Sequence, residues 1–252
     1  MNNATNSPSG EPRGMKLALI GYGKMGRAIE EIALQRGHSI VLKIDMPNLH
    51  DFTRDKLAGA DAAIEFTGPH SAFENVKALL DWNVPVVSGS TGWTERLEEM
   101  KKKCAEKNGA FIYSSNYSIG VNLFFELNKK LASLMAQHAE YEVLLEETHH
   151  TQKKDAPSGT AITLAEQVLE FIKRKKRWVN ELSDNPEVLE IISQRVDPAP
   201  GTHSIKYSSV IDNIEIIHTA HNRMGFAGGA VLAAEFIKGK KGFFTMKEVL
   251  GL

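Results

Sequence analysis

The spacing of hydrophobic and polar positions changes character near residue 117, and the change divides the chain into two parts. In the first part short apolar runs alternate with stretches of helical spacing. Lys16–Ile20, Ser39–Ile44, Asp61–Thr67, Val84–Ser88 and Ala110–Tyr113 are near-continuous apolar runs bounded by turn residues, the pattern of buried strands. Between them Arg27–Leu34, His70–Asp81 and Thr94–Lys107 predict helices, the last closed by Asn108-Gly109. Strands alternating with helices predict an α/β domain with a doubly wound parallel sheet. After Asn116 the rhythm breaks. Ser118–His138 predicts a long amphipathic helix, Tyr141–Glu147 a strand leading into His149 and His150, and Ser158–Lys173 a second helix. Three strand-like runs follow at Glu190–Val196, His203–Val210 and Asn213–Ala220, the last two placed as a hairpin. This order predicts a smaller α+β domain. Gly228–Ile237 reads as a closing helix of small residues. Lys173-Arg174-Lys175-Lys176-Arg177 reads as a solvated helix end, and residues 180–187 as polar loop.

Composition adds limits. The chain has 252 residues, 42% hydrophobic and 24% charged, which suits a globular protein of one large or two ordinary domains. A formal net charge of −1 gives no long-range attraction to nucleic acid or to anionic membrane. No apolar run is long enough to predict a membrane span. The single cysteine, Cys104, excludes an intrachain disulfide and reads as a packed thiol. Residues 1–14 are rich in Asn, Ser, Pro and Gly and lack the apolar core of a signal peptide. They read as a disordered extension with Met15 as the functional start, and a cytoplasmic location is expected.

The first candidate chemistry lies after the first strand. Gly21-Tyr22-Gly23-Lys24-Met25-Gly26 gives G-x-G-x-x-G between a strand and a helix, and a second strand follows that ends in Asp45. Gly21 permits the tight turn, Gly23 lets a pyrophosphate approach the backbone, and Gly26 lets helix pack on strand. The helix N-terminus supplies N–H donors to the phosphates. A carboxylate at Asp45 accepts from ribose hydroxyls and repels a 2′-phosphate, which favours NADH. Met46 stands where an Arg would favour NADPH, while Lys24 and Lys43 leave NADPH open. Three strands end in small polar residues: Phe66-Thr67-Gly68, Gly89-Ser90-Thr91 and Ser114-Ser115-Asn116-Tyr117. Ligands of such sheets lie over these ends, so the turns are expected to line the cofactor.

The second candidate is Glu146-Glu147-Thr148-His149-His150-Thr151-Gln152-Lys153-Lys154-Asp155-Ala156-Pro157-Ser158-Gly159-Thr160. Adjacent histidines on a strand point to opposite faces, and no helical His pair or Cys partner accompanies them, so no metal site is expected. Ser158 is not in a nucleophile elbow. Pro157-Ser158-Gly159-Thr160 opens a helix, so its N–H groups and hydroxyls are expected to face outward and bind a carboxylate. Lys153 and one of the histidines add positive charge and a transferable proton. Beside a nicotinamide such groups suit reduction of C=C or C=N, where hydride addition must be matched by a proton. Another two-domain dehydrogenase, acting on an amino acid, and a nucleotide sensor without turnover are the rival readings.

The run Glu147-x-His149-His150-x-x-Lys153-x-Asp155-Ala156-Pro157-Ser158-Gly159-Thr160 resembles the signature of the 4-hydroxy-tetrahydrodipicolinate (dihydrodipicolinate) reductase family. The resemblance extends to Gly21–Gly26, Glu65-Phe66-Thr67, Gly89–Gly92, Asn116–Asn122 and His221-x-Arg223-x-x-Phe226-Ala227-x-Gly229-Ala230. It implies a Rossmann-type dinucleotide-binding domain from residues 15–117 and 222–252, and a substrate-binding and oligomerisation domain at 118–221. It also implies a homotetramer and NAD(P)H-dependent reduction of a small cyclic dicarboxylate in lysine and diaminopimelate biosynthesis. By position it makes His149 the acid/base and Lys153 the proton donor, with His150, Lys153, Ser158, Gly159 and Thr160 on the substrate carboxylates. It assigns Gly21 to Gly26, Asp45, Phe66, Thr67, Gly89 to Thr91 and Ser114 to Tyr117 to the cofactor. The chain departs from the family's usual Asp-Phe-Thr in having Glu65, so the hinge beside the cofactor is expected to differ. Which of His149, His150 and Lys153 moves the proton stays open in the sequence.

Overall fold

The computed structural model describes residues 14–252; the expected N-terminal extension lies outside the described residues except for Gly14. Contacts divide the chain into two units. One runs to Ser115 and includes Ala230–Val249; the other comprises Asn116–Gly229 and Leu250–Leu252.

The first unit is built on a six-stranded sheet of β1 (Lys16–Ile20), β2 (Ser39–Ile44), β3 (Ala62–Glu65), β4 (Val86–Ser88), β5 (Ala110–Tyr113) and β11 (Gly242–Phe244). The spatial order is β11-β5-β4-β3-β1-β2, and every pairing is parallel. All carboxyl ends therefore lie on one edge. Three of the strands, β3, β4 and β5, are buried at every position, which explains their near-continuous apolar sequence. Helices α1 (Lys24–Gln35), α2 (Ala72–Asp81) and α3 (Leu97–Glu106) connect them. Cys104 of α3 is buried in the core with Trp93, Phe111 and Met100.

The second unit has a five-stranded mixed sheet of β6 (Glu142–His149), β7 (Arg177–Val179), β8 (Val188–Arg195), β9 (Thr202–Ser208) and β10 (Asn213–Thr219). Its order is β10-β9-β6-β8-β7, with β6, β8 and β7 parallel and β9 and β10 antiparallel. Helices α4 (Ile119–Met135) and α5 (Gly159–Phe171) bury Phe124, Leu164 and Val168 against Leu145, Ile191, Ile205 and Tyr207 of this sheet. Helix α6 (Met224–Ile237) begins in the second unit and ends in the first, and α7 (Met246–Leu250) follows β11.

The structure differs from the sequence reading in several places. The basic run 173–177 is not a solvated helix end. Helix α5 stops at Phe171, Lys175 is buried with its ammonium 2.7 Å from Glu142, Arg174 donates to the Tyr141 carbonyl, and Arg177 starts β7. Long cationic side chains can bury their stems while the heads stay paired, and a charge pattern alone does not reveal this. Helix α1 starts at Lys24, three residues earlier than expected, with Gly23 at its N-cap and Gly26 buried in its first turn. Helix α6 starts at Met224 rather than Gly228. A 3-10 turn at Met46–Asp51 follows β2, capped by the Asp45 side chain and Asn48.

Candidate functional site

The glycine-rich turn has the conformation its residues require. Gly21 has φ +99°, and a Cβ there would stand 2.1 Å from the Phe66 carbonyl oxygen. A Cβ on Gly26 would stand 2.3 Å from the Gly21 carbonyl oxygen, so this glycine allows the helix to close on the strand. Gly23 is exposed and has open space where a Cβ would be, which is where a phosphate approaching the N-terminus of α1 would lie. These observations fit a dinucleotide.

The turns after β3 and β4 are tied together by a carboxylate. Glu65 is fully buried and accepts from Ser88 Oγ (2.6 Å), Ser90 Oγ (2.7 Å), Thr67 Oγ1 (2.5 Å) and the Thr67 amide (2.9 Å). The acid that departs from the family pattern is thus the anchor of Thr67 and Ser90. Phe66 packs under Gly89, where a Cβ would meet its ring at 2.2 Å. Gly89, Ser90 and Thr91 follow β4, and Ser114 and Ser115 follow β5, on the same edge as Gly21. Asn116 and Tyr117 fall in the second unit. Tyr117 is buried there, with Gly229 packed on its backbone.

At the end of β2, Asp45 caps the following turn by accepting from the Met46 amide at 2.9 Å, and it remains exposed. Lys43 is held by Glu30 at 2.6 Å, and Glu30 also accepts from the Tyr22 hydroxyl. Those two bonds outweigh burial and lower the Glu30 pKa. Lys43 and Arg27 both lie over the Tyr22 ring, 5.0 and 5.1 Å from its centroid. Lys24 is exposed at the start of α1, and Met25 is half-buried beside it.

In the second unit the alternation of β6 carries Val143, Leu145, Glu147 and His149 onto one buried face. The face is apolar at its start and ionisable at its end. Neighbouring strands complete a polar cluster there, since Glu147 lies opposite Ser193 of β8 and His203 of β9, and His149 opposite Arg195. Glu147 accepts from the Ser158 amide (3.0 Å), Ser193 Oγ (2.7 Å) and Arg195 Nη2 (3.1 Å). Its other oxygen lies 3.4 Å from His149 Nδ1 and 3.6 Å from His203 Nε2. Burial pushes the Glu147 carboxyl up, but the bonds from His203, Ser158 and Ser193 outweigh it and hold the group well below the usual carboxylate range.

His149 is 8% exposed, and its Nδ1 is buried without an aligned hydrogen bond despite the nearby carboxylate. Burial lowers its pKa to about 4 against the opposing pull of Glu147. The ring is therefore neutral at neutral pH. His150 is half-buried and lies just beyond the end of β6. Lys153 lies on the following loop with Nζ 2.9 Å from both carboxylate oxygens of Asp155. Burial raises the Asp155 pKa, and the Lys153 bond and charge more than reverse this.

Ser158 caps α5, accepting from the Ala161 amide at 3.2 Å and meeting His203 Nε2 at 3.1 Å. It is 3% exposed, so its hydroxyl is turned inward rather than outward as the sequence suggested. Gly159 and Thr160 form the open part of the turn. Gly159 is exposed with nothing near its missing Cβ, and first-turn amides have no intrahelical acceptor. Thr160 Oγ1 accepts from Asn116 Nδ2 at 3.4 Å.

Among the described residues, Glu147, His149 and His203 place donor atoms within 4.8 Å of one another, a spacing a metal ion can use. Arg195 already supplies a cation to this carboxylate, and two N–H or O–H donors from Ser158 and Ser193 fill its other positions. The set fits a closed anionic hub. Sequence reading missed His203, Ser193 and Arg195, whose role depends on strand register. It contained Glu147, and the period-two run from Val143 was the signal that this acid faces inward.

Comparison with known proteins identifies the family. The family described as dihydrodipicolinate reductase, N-terminus, matches residues 15–117, and dihydrodipicolinate reductase, C-terminus, matches residues 120–250. A 4-hydroxy-tetrahydrodipicolinate reductase of Christiangramia forsetii is 49% identical over 240 residues, covering 94% of this chain and 98% of the relative. One of Methanoregula boonei is 37% identical over 196 residues, covering 76% and 75%. The dipicolinate-bound dihydrodipicolinate reductase of Paenisporosarcina sp. TG-14 superposes with a TM-score of 0.74 at 25% identity, covering 93% of this chain and 98% of that one. With both halves matched and close relatives aligned along nearly its whole length, the chain belongs to the dihydrodipicolinate reductase family.

Proposed function

We propose that this chain reduces 4-hydroxy-tetrahydrodipicolinate, whose hydroxyl leaves as water, to tetrahydrodipicolinate in the route to diaminopimelate and lysine. The first unit holds a nicotinamide dinucleotide and the second holds the cyclic dicarboxylate. When bound, the nicotinamide supplies the hydride. NADH is the preferred form, supported by the exposed carboxylate at Asp45 and by the capture of Lys43 by Glu30, which removes a cation from the 2′-phosphate position. Gly21 to Gly26 cradle the pyrophosphate, and Phe66, Thr67, Gly89 to Thr91 and Ser114 to Tyr117 line the rest of the cofactor.

The observation that carries the substrate assignment is the helix start at Ser158–Thr160, on the same short loop as Lys153. The Gly159 and Thr160 amides and the Thr160 hydroxyl bind one carboxylate, oriented by the inward cap of Ser158, while His150 and Lys153 meet the other. Lys153 then donates a proton to the ring atom left with the electron pair. His149, kept neutral by its burial beside Glu147, acts in support of Lys153. We place the protein in the cytoplasm and read it as a homotetramer; exposed Ile214 and Ile217 on β10 and Leu123 and Leu127 on α4 offer apolar surface for association of copies. No helix among the described residues is long and apolar enough to cross a membrane. Lys153→Ala is expected to keep NADH affinity and lose roughly 10²–10⁴-fold in turnover. Normal turnover in that variant overturns the role of Lys153.

A further inference from the structure

The loop carrying Lys153 has little regular structure of its own. Between the end of β6 at His149 and the start of α5 at Gly159, its backbone bonds include Lys153 N–H to the His150 carbonyl. A proton donor on such a segment needs external support, because a displacement of about 1 Å at a reacting group can cost about 10²-fold in rate.

That support comes from β8 and the residue pair just after it. Arg195 donates from Nε to the Lys153 carbonyl (3.4 Å) and from Nη2 to the Asp155 carbonyl (2.6 Å). The same Nη2 donates to Glu147 (3.1 Å), and Nη1 donates to the Gln194 carbonyl (2.7 Å). At the loop's other end, Asp197 accepts from the Thr151 amide (3.1 Å) and hydroxyl (2.5 Å). The Arg195 side chain is 19% exposed and Glu147 is 0% exposed, so the pair sits where solvent competes little.

We propose that Arg195 is a positioning residue for proton delivery. Its guanidinium straps the Lys153 loop to the buried Glu147 carboxylate, which also holds the Ser158 amide at the start of α5. One carboxylate thereby sets both the proton-donating loop and the carboxylate-binding helix turn in a common frame. The planar fork is essential to this role. It reaches acceptors in several directions at fixed angles, whereas a lysine ammonium at the same place pairs with Glu147 but cannot span the two loop carbonyls. The assignment rests on the reading of Lys153 as proton donor.

A double-mutant cycle tests it. Arg195→Gln and Arg195→Lys are each made with Lys153 present and in the Lys153→Ala background. For each enzyme kcat, KM for substrate, the NADH dissociation constant and the thermal midpoint are measured. With Lys153 present, Arg195→Lys is expected to lower kcat by about 10²-fold while NADH affinity stays constant. In the Lys153→Ala background the same change is expected to lower kcat by less than about threefold, because the group being positioned is gone. Equal losses in both backgrounds, a rise in KM with kcat unchanged, or full kcat in Arg195→Lys overturns the proposal. If Arg195→Gln does not fold because Glu147 loses its counter-charge, Arg195→Lys, which keeps that charge, decides alone. Full turnover in Lys153→Ala by itself refutes the proton-donor reading, an outcome separate from additive losses in the cycle.

Discussion

Replacing Glu147 with Gln preserves volume and removes the charge that the polar cluster is built around. The native carboxylate accepts from the Ser158 amide, Ser193 and Arg195 at 2.7–3.1 Å and is fully buried. Glutamine keeps one oxygen for the Ser158 amide but turns an NH2 toward the remaining donors. Hydrogen bonds to a charged group are each worth about 1.5–3 kcal/mol, and removing one partner of a buried ion pair costs about 3–5 kcal/mol. Because the Ser158 bond can persist, about 3 kcal/mol is expected, or about 6–12 °C in the melting midpoint at this chain length. The assay is urea and thermal unfolding of both proteins at neutral and acidic pH. The sign of the pH dependence follows from the carboxyl's lowered pKa. Its stabilisation is fully present above the ordinary value of 4.5 and is lost progressively as pH falls below it, so the gap between the two proteins should narrow in acid. A loss under about 1 kcal/mol, or a gap independent of pH, refutes the hub.

Three further outcomes are expected. Gly23→Ala should fold like the parent but bind NADH weakly, because its Cβ enters open space meant for phosphate, whereas Gly21→Ala should lower the melting midpoint through collision with Phe66; fluorescence titration and melting curves separate the two. Asp45→Ala should raise the NADPH-to-NADH ratio of kcat/KM by removing the carboxylate that repels a 2′-phosphate; an unchanged ratio assigns the choice to Lys24, Lys43 or the loop shape. His149 has its pKa lowered from 6.5 to about 4 by burial, so the unfolded chain binds more protons in that interval and stability should rise with pH across it. His149→Gln should flatten that rise, as measured by unfolding at pH steps, and an undiminished slope would show that another group is responsible.

The first unit was legible because buried parallel strands and their helices leave an unambiguous local pattern, and the turn chemistry of Gly21 and Gly26 is dictated by backbone contact. What escaped were short elements without periodicity: β7 at Arg177–Val179, β11 at Gly242–Phe244 and the turn at Met46–Asp51. Three residues at a sheet edge are fixed by their neighbours' hydrogen bonds, which local sequence does not carry. In the second unit His149, Lys153 and Ser158–Thr160 stood out by chemical density. Arg195 and His203 did not, since each is an ordinary strand residue until the parallel pairing of β8 with β6 and the antiparallel pairing of β9 with β6 bring it near Glu147. Ser158 shows the opposite limit: its type announced a helix cap, but only packing against His203 decides that its hydroxyl faces inward.

The central claim is that this chain transfers a hydride from nicotinamide to a cyclic dicarboxylate while supplying a proton to the same ring. NADH dideuterated at C4 of the nicotinamide, incubated with 4-hydroxy-tetrahydrodipicolinate and the full chain, tests it most directly through mass spectrometry of the product. The account predicts one deuterium bound to ring carbon for each NADH consumed. Consumption of NADH with no deuterium in the product, or no consumption at all with folded protein and substrate present, would contradict it.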